Sequence, residues 1–162
     1  EEVFTAPHRL RTNGIVKSSM PYVFNGNLIE GITTKFENGV AVEYSAAKND
    51  ALLQQMLAAD EGAKHIGEIA LVPASSPIRQ SGGLFYNTLF DENAACHMAF
   101  GAGYPGTVAG GDDMSTEKLL EKGVNDSLIH EDGMIGTEDM DIDGITKDGE
   151  RVPVFRGGEW AL

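Results

Sequence analysis

Residues 28–45 read "LIEGITTKFENGVAVEYS". Two runs that alternate apolar and polar residues flank Asn38-Gly39. That dipeptide is the strongest short signal for a tight two-residue hairpin, because both positions accept a positive φ. The stretch therefore predicts an antiparallel pair of strands. Leu28, Ile32 and Phe36 share one face, with Val40, Val42 and Tyr44 opposite.

Working outward, residues 49–59, "NDALLQQMLAA", predict a helix. Asn49 or Asp50 supplies the cap, and Leu52, Leu53, Met56 and Leu57 supply the apolar stripe. "GEIALVP" (67–73) and "GGLFYNTLF" (82–90) read as short strands, and "NAACHMAF" (93–100) as a short helix that stops at Gly101. "STEKLLEKG" (115–123) is a capped, exposed helix. A second hairpin turns at Asp148-Gly149 between "DIDGITK" and "ERVPVF". Strands lead and helices are few. The fold class is α+β, with a mixed, largely antiparallel sheet, hairpins and a few short helices.

At 162 residues, 41% hydrophobic and 23% charged, the chain is long and apolar enough for one globular domain. No apolar run is long enough to span a bilayer, and the start lacks the apolar core of a signal peptide. Against 12 Lys and Arg stand 25 Asp and Glu, a net charge of −13. That argues against a nucleic-acid partner, which needs a basic surface. It fits either plain solubility or acids gathered around cations. A single cysteine, Cys96, allows no internal disulfide, points to a reducing, cytoplasmic compartment, and reads as a buried thiol. The abrupt opening at "EEVFTAP" suggests a piece of something longer.

Residues 125–136, "NDSLIHEDGMIG", form a strand-like run with His130, Glu131 and Asp132 at its centre. Residues two apart on a strand share a side, so His130 and Asp132 face one way and Glu131 the other. An H-x-D pair of this kind is either a two-point chelator or a hydrogen-bonded core pair. His97 lies in an apolar segment where a desolvated imidazole needs a partner, and "FDEN" (90–93) places Asp91 and Glu92 just ahead of it. This arrangement suits a metal site or a helix cap beside a core histidine. Glu68 in "IGEIALVP" and Glu2 beside "VFTAP" are acids at the margins of apolar runs, and pattern alone favours exposure. His65 reads as a surface residue at a helix end. His8 reads as a loop residue or one that supports a ligand. No serine-hydrolase elbow, phosphate loop, dinucleotide fingerprint, EF-hand or H-E-x-x-H is present.

Together "EEVFTAPH", "GEIALVP", "LFYNTLFDENAACH", "NDSLIH-D-MIG" and "DIDGITKDG" resemble, in order and over the whole chain, the C-terminal catalytic part of the M29 metalloaminopeptidases, the aminopeptidase T, aminopeptidase S and PepS group. The resemblance implies a domain spanning 1–162 from a larger two-domain homodimeric enzyme, without its N-terminal domain and so with little activity of its own. It implies two divalent ions (zinc, cobalt or manganese) held by Glu2, Glu68, Glu92, His97, His130 and Asp132. Glu68 would bridge the ions or carry a proton, and Tyr104 would donate to the oxyanion. The implied reaction removes N-terminal residues from peptides by attack of a metal-bridging water. Two other readings stand beside it. One is a mononuclear iron oxygenase using H-x-D plus a histidine, although His97 precedes the pair. The other is a non-catalytic acidic interaction domain.

Overall fold

The computed structural model describes residues 2–161. In chain order the elements are β1 (Val3–Thr5), β2 (Gly14–Lys17), β3 (Tyr22–Phe24), β4 (Asn27–Ile29), β5 (Thr33–Glu37), β6 (Val40–Ser45), α1 (Asp50–Leu57), β7 (Ile66–Leu71), α2 (Pro77–Gln80), α3 (Thr88–Asp91), β8 (His97–Gly101), α4 (Thr116–Lys122), β9 (His130–Met134), β10 (Ile142–Ile145), β11 (Arg151–Arg156) and β12 (Glu159–Trp160). They form four sheets with strand orders β1-β7-β8-β9, β10-β11-β12, β2-β5-β6 and β3-β4. Every strand pairing is antiparallel. The α+β class, with few short helices, is what the sequence indicates.

The hairpin at Asn38-Gly39 forms between β5 and β6, with φ of 49° and 87° at the turn. Its faces differ from the simple alternation. A bulge between Lys35 and Phe36 sets Phe36 opposite Ala41, so Ala41 is buried while Val42 is exposed. Leu28 belongs to a separate hairpin, β3-β4, which turns at a second Asn-Gly, Asn25-Gly26. Gly31, at φ 65°, breaks the run between the two hairpins. Helix α1 lies where its stripe predicts and buries Leu53, Met56 and Leu57. The Asn49 side chain makes no capping bond; its Nδ2 donates to the Leu28 carbonyl at 2.7 Å. Asp50 instead accepts from the Ala46 amide at 2.8 Å. Helix α4, which ends at Gly123 but has no side-chain bond from Ser115 at its start, and the hairpin at Asp148-Gly149 also form.

Two segments differ in type. "NAACHMAF" is not a helix: its first residues make a 3-10 turn (Glu92–Ala94), and the rest is β8, buried at every position. A central strand covered on both faces reads as a continuous apolar run and carries no period-2 signal. "GGLFYNTLF" is not a strand. The Asn87 side chain caps α3 by accepting from Leu89, and Asp91 accepts from the amides of Phe85 and Asn87. Those bonds take donors that a strand ladder would need.

One face of the β1-β7-β8-β9 sheet meets the main core. There Met98, Phe100 and Ile66 pack with Tyr22, Phe24, Ile29, Phe36 and Leu53. The opposite face carries the polar residues, and a bulge in β7 is what puts Glu68 there. Ile66 pairs with Phe100 and Glu68 with Ala99, so Gly67 is an extra residue on the β7 side. Without it, Ile66 and Glu68 would share a face. Only glycine fits, since a Cβ at position 67 would meet the Ala102 carbonyl oxygen at 2.0 Å.

Candidate metal centre

The register collects the site. Glu68, Ala99 and Asp132 stand directly opposite one another across three strands, and His130 is opposite Gly101. His97 lies one alternation along β8 from Ala99. Glu2, two residues before Phe4, projects beside the row formed by Phe4, Ala70 and His97. Glu92 reaches in from the 3-10 turn ahead of β8. Thus all six residues that the resemblance picks out as ligands converge.

Three overlapping groups have ligand atoms within 4.8 Å of one another: Glu2, Glu68 and His97; Glu68, His130 and Asp132; and Glu92, His97 and Asp132. Glu68 belongs to two of them and divides its oxygens. Its Oε1 is 3.5 Å from His97 Nε2, and its Oε2 is 3.7 Å from His130 Nε2. Both imidazoles are fixed from behind. His97 Nδ1 is 3.1 Å from the Ala95 carbonyl and His130 Nδ1 is 2.7 Å from that of Ala102, leaving each Nε2 turned inward.

These atoms do not satisfy one another. Glu2 Oε2, His97 Nε2 and Asp132 Oδ1 are buried without a hydrogen-bond partner, although His97 Nε2 is only 2.9 Å from Glu2 Oε2. That contact is short but lacks hydrogen-bond angles. No Lys or Arg among the described residues pairs with the four carboxylates. Acids buried this way need a cation. Imidazole and carboxylate suit zinc, cobalt or manganese, so the residues fit a metal.

The electrostatics reflect how closely the acids and imidazoles are gathered. Burial raises the Glu92 carboxyl to about 7, helped by Asp132 and opposed by His97. Burial alone would lower His130, but the Asp132 carboxylate, the Ala102 carbonyl and Glu68 outweigh it and leave His130 at about 9. Burial also raises Glu2, as do Glu68 and Asp132, against the pull of His97.

The cluster floors an open cleft of about 440 Å³ whose walls include Phe4, Thr88, Leu89 and Tyr104. The Tyr104 ring stands 4.8 Å from that of His130 and meets Phe4 edge-on at 5.9 Å. Burial and the nearby Glu68 and Asp132 carboxylates raise its phenol, which therefore keeps its proton.

The description "Thermophilic metalloprotease (M29)" matches residues 1–160. The chain belongs to the M29 family. It is 52% identical over its whole length to "Aminopeptidase 2" of Geobacillus stearothermophilus, and 49% identical to "Aminopeptidase T" of Thermus aquaticus. It covers 39% of each of those relatives. Its structure superposes on "Wild-type AmpT from Thermus thermophilus" with a TM-score of 0.93 and 50% identity, over all of this chain and 40% of that one. The chain thus spans about two-fifths of the length of the M29 proteins it matches.

Several residues lie elsewhere than the sequence suggests. His65 is buried, not exposed, with Nδ1 2.9 Å from the Arg9 carbonyl. Asp91 faces the backbone of residues 85–87 rather than the ligands. Glu131 pairs with Phe100 on the opposite face from His130 and Asp132, as alternation requires, though it is half-buried. Cys96 is buried and bonds to Val72, turned away from the cluster. Sequence reasoning missed Phe4, Thr88 and Leu89 as walls of the cleft. The exposed apolar side chains next to ligand-bearing segments were the available signal. No helix among the described residues is long and apolar enough to cross a membrane.

Proposed function

We propose that this chain supplies the two-metal catalytic centre of an aminopeptidase that removes N-terminal residues from peptides. The observation that carries the proposal is the set of unpaired buried ligand atoms on Glu2, His97 and Asp132 around the divided carboxylate of Glu68. Glu2, Glu68 and His97 would hold one ion, Glu68, His130 and Asp132 the other, and Glu92 would close the His97–Asp132 side. Such ions polarise a carbonyl and bring bound water to a pKa of about 7. The residues have their own tasks. Glu68, with one oxygen toward each histidine, would either bridge the two ions or take and return a proton. The Tyr104 phenol, on the cleft wall, donates a hydrogen bond to the oxyanion that develops on the peptide carbonyl. The Ala95 and Ala102 carbonyls hold the imidazoles in one tautomer.

Four carboxylates exceed the single carboxylate of a two-histidine iron triad, which argues against the oxygenase reading. They also outnumber what solubility needs on a buried surface. The proposal extends to a full-length homodimer acting in a reducing cytoplasm on peptides, with an acidic surface unsuited to nucleic acid. Titrating cobalt(II) into the dialysed chain is expected to give about two ions bound per chain. One ion, or none, would overturn the proposal.

A further inference from the structure

Behind His130 lies a polar hub that none of the ligands enters. Asn125 is 3% exposed. Its Nδ2 donates to the Gly62 carbonyl at 2.9 Å and to the Gly101 carbonyl at 2.7 Å. Its backbone carbonyl accepts from the Gly103 amide at 2.8 Å, and its Oδ1 accepts from Arg9 Nε at 3.2 Å. Asn125 therefore grips the chain on both sides of Ala102.

The Ala102 carbonyl is the group that matters. It lies 2.7 Å from His130 Nδ1, and it lies so close over Gly67 that no side chain fits there. One peptide unit thus orients an imidazole and also packs on the bulge that turns Glu68 to the polar face. Through Arg9, whose own amide donates to the Gly123 carbonyl at 2.7 Å, the hub also ties down the segment that follows β1 and Glu2.

We propose that Asn125 is a positioning residue for the metal centre. It fixes the Gly101–Gly103 bend so that the Ala102 carbonyl holds the His130 Nδ1 proton and presents Nε2 to the cluster. The inference rests on the proposed metal site. A partner that orients a ligating histidine affects metal affinity by about ten- to hundredfold.

The test compares the unaltered chain with Asn125→Asp, which removes both Nδ2 donations and keeps an acceptor for Arg9. Asn125→Ser is the milder second variant. Three quantities are measured: the zinc(II) dissociation constant by calorimetry, the thermal midpoint without metal, and the ¹⁵N resonances of the His130 and His97 rings. Zinc affinity should fall at least tenfold well below the thermal midpoint. The His130 Nδ1–H signal should shift or broaden while that of His97 stays in place. A lowered midpoint with unchanged zinc affinity and an unchanged His130 signal would make Asn125 merely structural and overturn the inference. So would a failure of both variants to fold, since a residue on which the whole fold depends is not a local positioner. If the unaltered chain bound no zinc, the metal-site proposal would fail instead, and the His130 signal would still report whether the hub orients the ring.

Discussion

Glu68 and Asp132 sit in one row across three strands with only Ala99 between them. Directly opposed residues project to the same side of a sheet, so the two carboxylates look at each other over a single methyl group. Ala99 is fully buried. Ala99→Val would add two methyls between the acids. Overpacking of this kind costs about 1–3 kcal/mol, and here it would also prise apart the two carboxylates. Zinc affinity measured by calorimetry should fall at least tenfold, with a lowered thermal midpoint. Unchanged affinity would show that the centre does not depend on this row.

The bulge at Gly67 offers a sharper test. A Cβ there would meet the Ala102 oxygen at 2.0 Å and the Gly101 oxygen at 2.5 Å, both of them backbone. Neither can rotate away. Gly67→Ala should cost roughly 3 kcal/mol or more, the range of severe core strain, when unfolding is followed in urea. The bound-metal count should fall too, because Glu68 depends on that bulge for its face. A variant of near-normal stability would show that the bulge can slip without loss.

Protonation of the metal-free cluster sets a pH dependence. His130 stands at about 9 against an ordinary 6.5, and Glu92 at about 7 against 4.5. Both folded-state values lie above the unfolded ones. The folded chain therefore binds more protons than the unfolded chain, and their contribution to stability shrinks as pH rises. For His130 that contribution is whole below about 6.5 and gone above about 9. For Glu92 it is lost between about 4.5 and 7. The thermal midpoint of the metal-free chain should fall from pH 5 to pH 9. Metal binding displaces these protons, so zinc uptake at pH 7 should release them. The release would appear as a dependence of the calorimetric enthalpy on buffer ionisation. An enthalpy independent of buffer would count against His130 as a ligand.

Tyr104 contacts the cluster by its ring, not by a ligand atom. Tyr104→Phe keeps that packing and removes the donor. In a full-length active enzyme, turnover should drop by about 10²–10³ at constant metal content, the loss typical of one oxyanion donor. Unchanged turnover would remove Tyr104 from the chemistry.

The parts of this design that local chemistry specifies could be read from the sequence. The Asn38-Gly39 and Asp148-Gly149 turns, the stripe of α1, and the inward pairing of His130 with Asp132 each follow from a few adjacent residues. What escaped depends on distant partners. His97 sits on a strand whose two faces are both covered, so its apolar neighbours give no period, and the segment reads equally as a helix. His65 is buried by Arg9, 56 residues away. The fully extended reading of 82–90 failed because Asp91 folds the preceding backbone onto itself. Glu68 faces the site only through a bulge, which no alternation pattern announces.

Asp91 provides a test that separates anchor from ligand. The Asp91 side chain accepts from the Phe85 amide at 2.7 Å and the Asn87 amide at 3.0 Å, and it is 3% exposed. Hydrogen bonds to a charged acceptor contribute about 1.5–3 kcal/mol each. Asp91→Ala should therefore destabilise the chain by about 3–6 kcal/mol and open residues 84–90 to amide hydrogen exchange. Zinc affinity should change by no more than a few-fold, because the carboxylate faces the backbone and not the cluster. Glu92→Ala should behave in the opposite way, with a small change in stability and a large loss of zinc affinity. If the two variants exchanged these behaviours, Asp91 would be the ligand and Glu92 the anchor. The single-residue offset between them along the 3-10 turn is what assigns the roles.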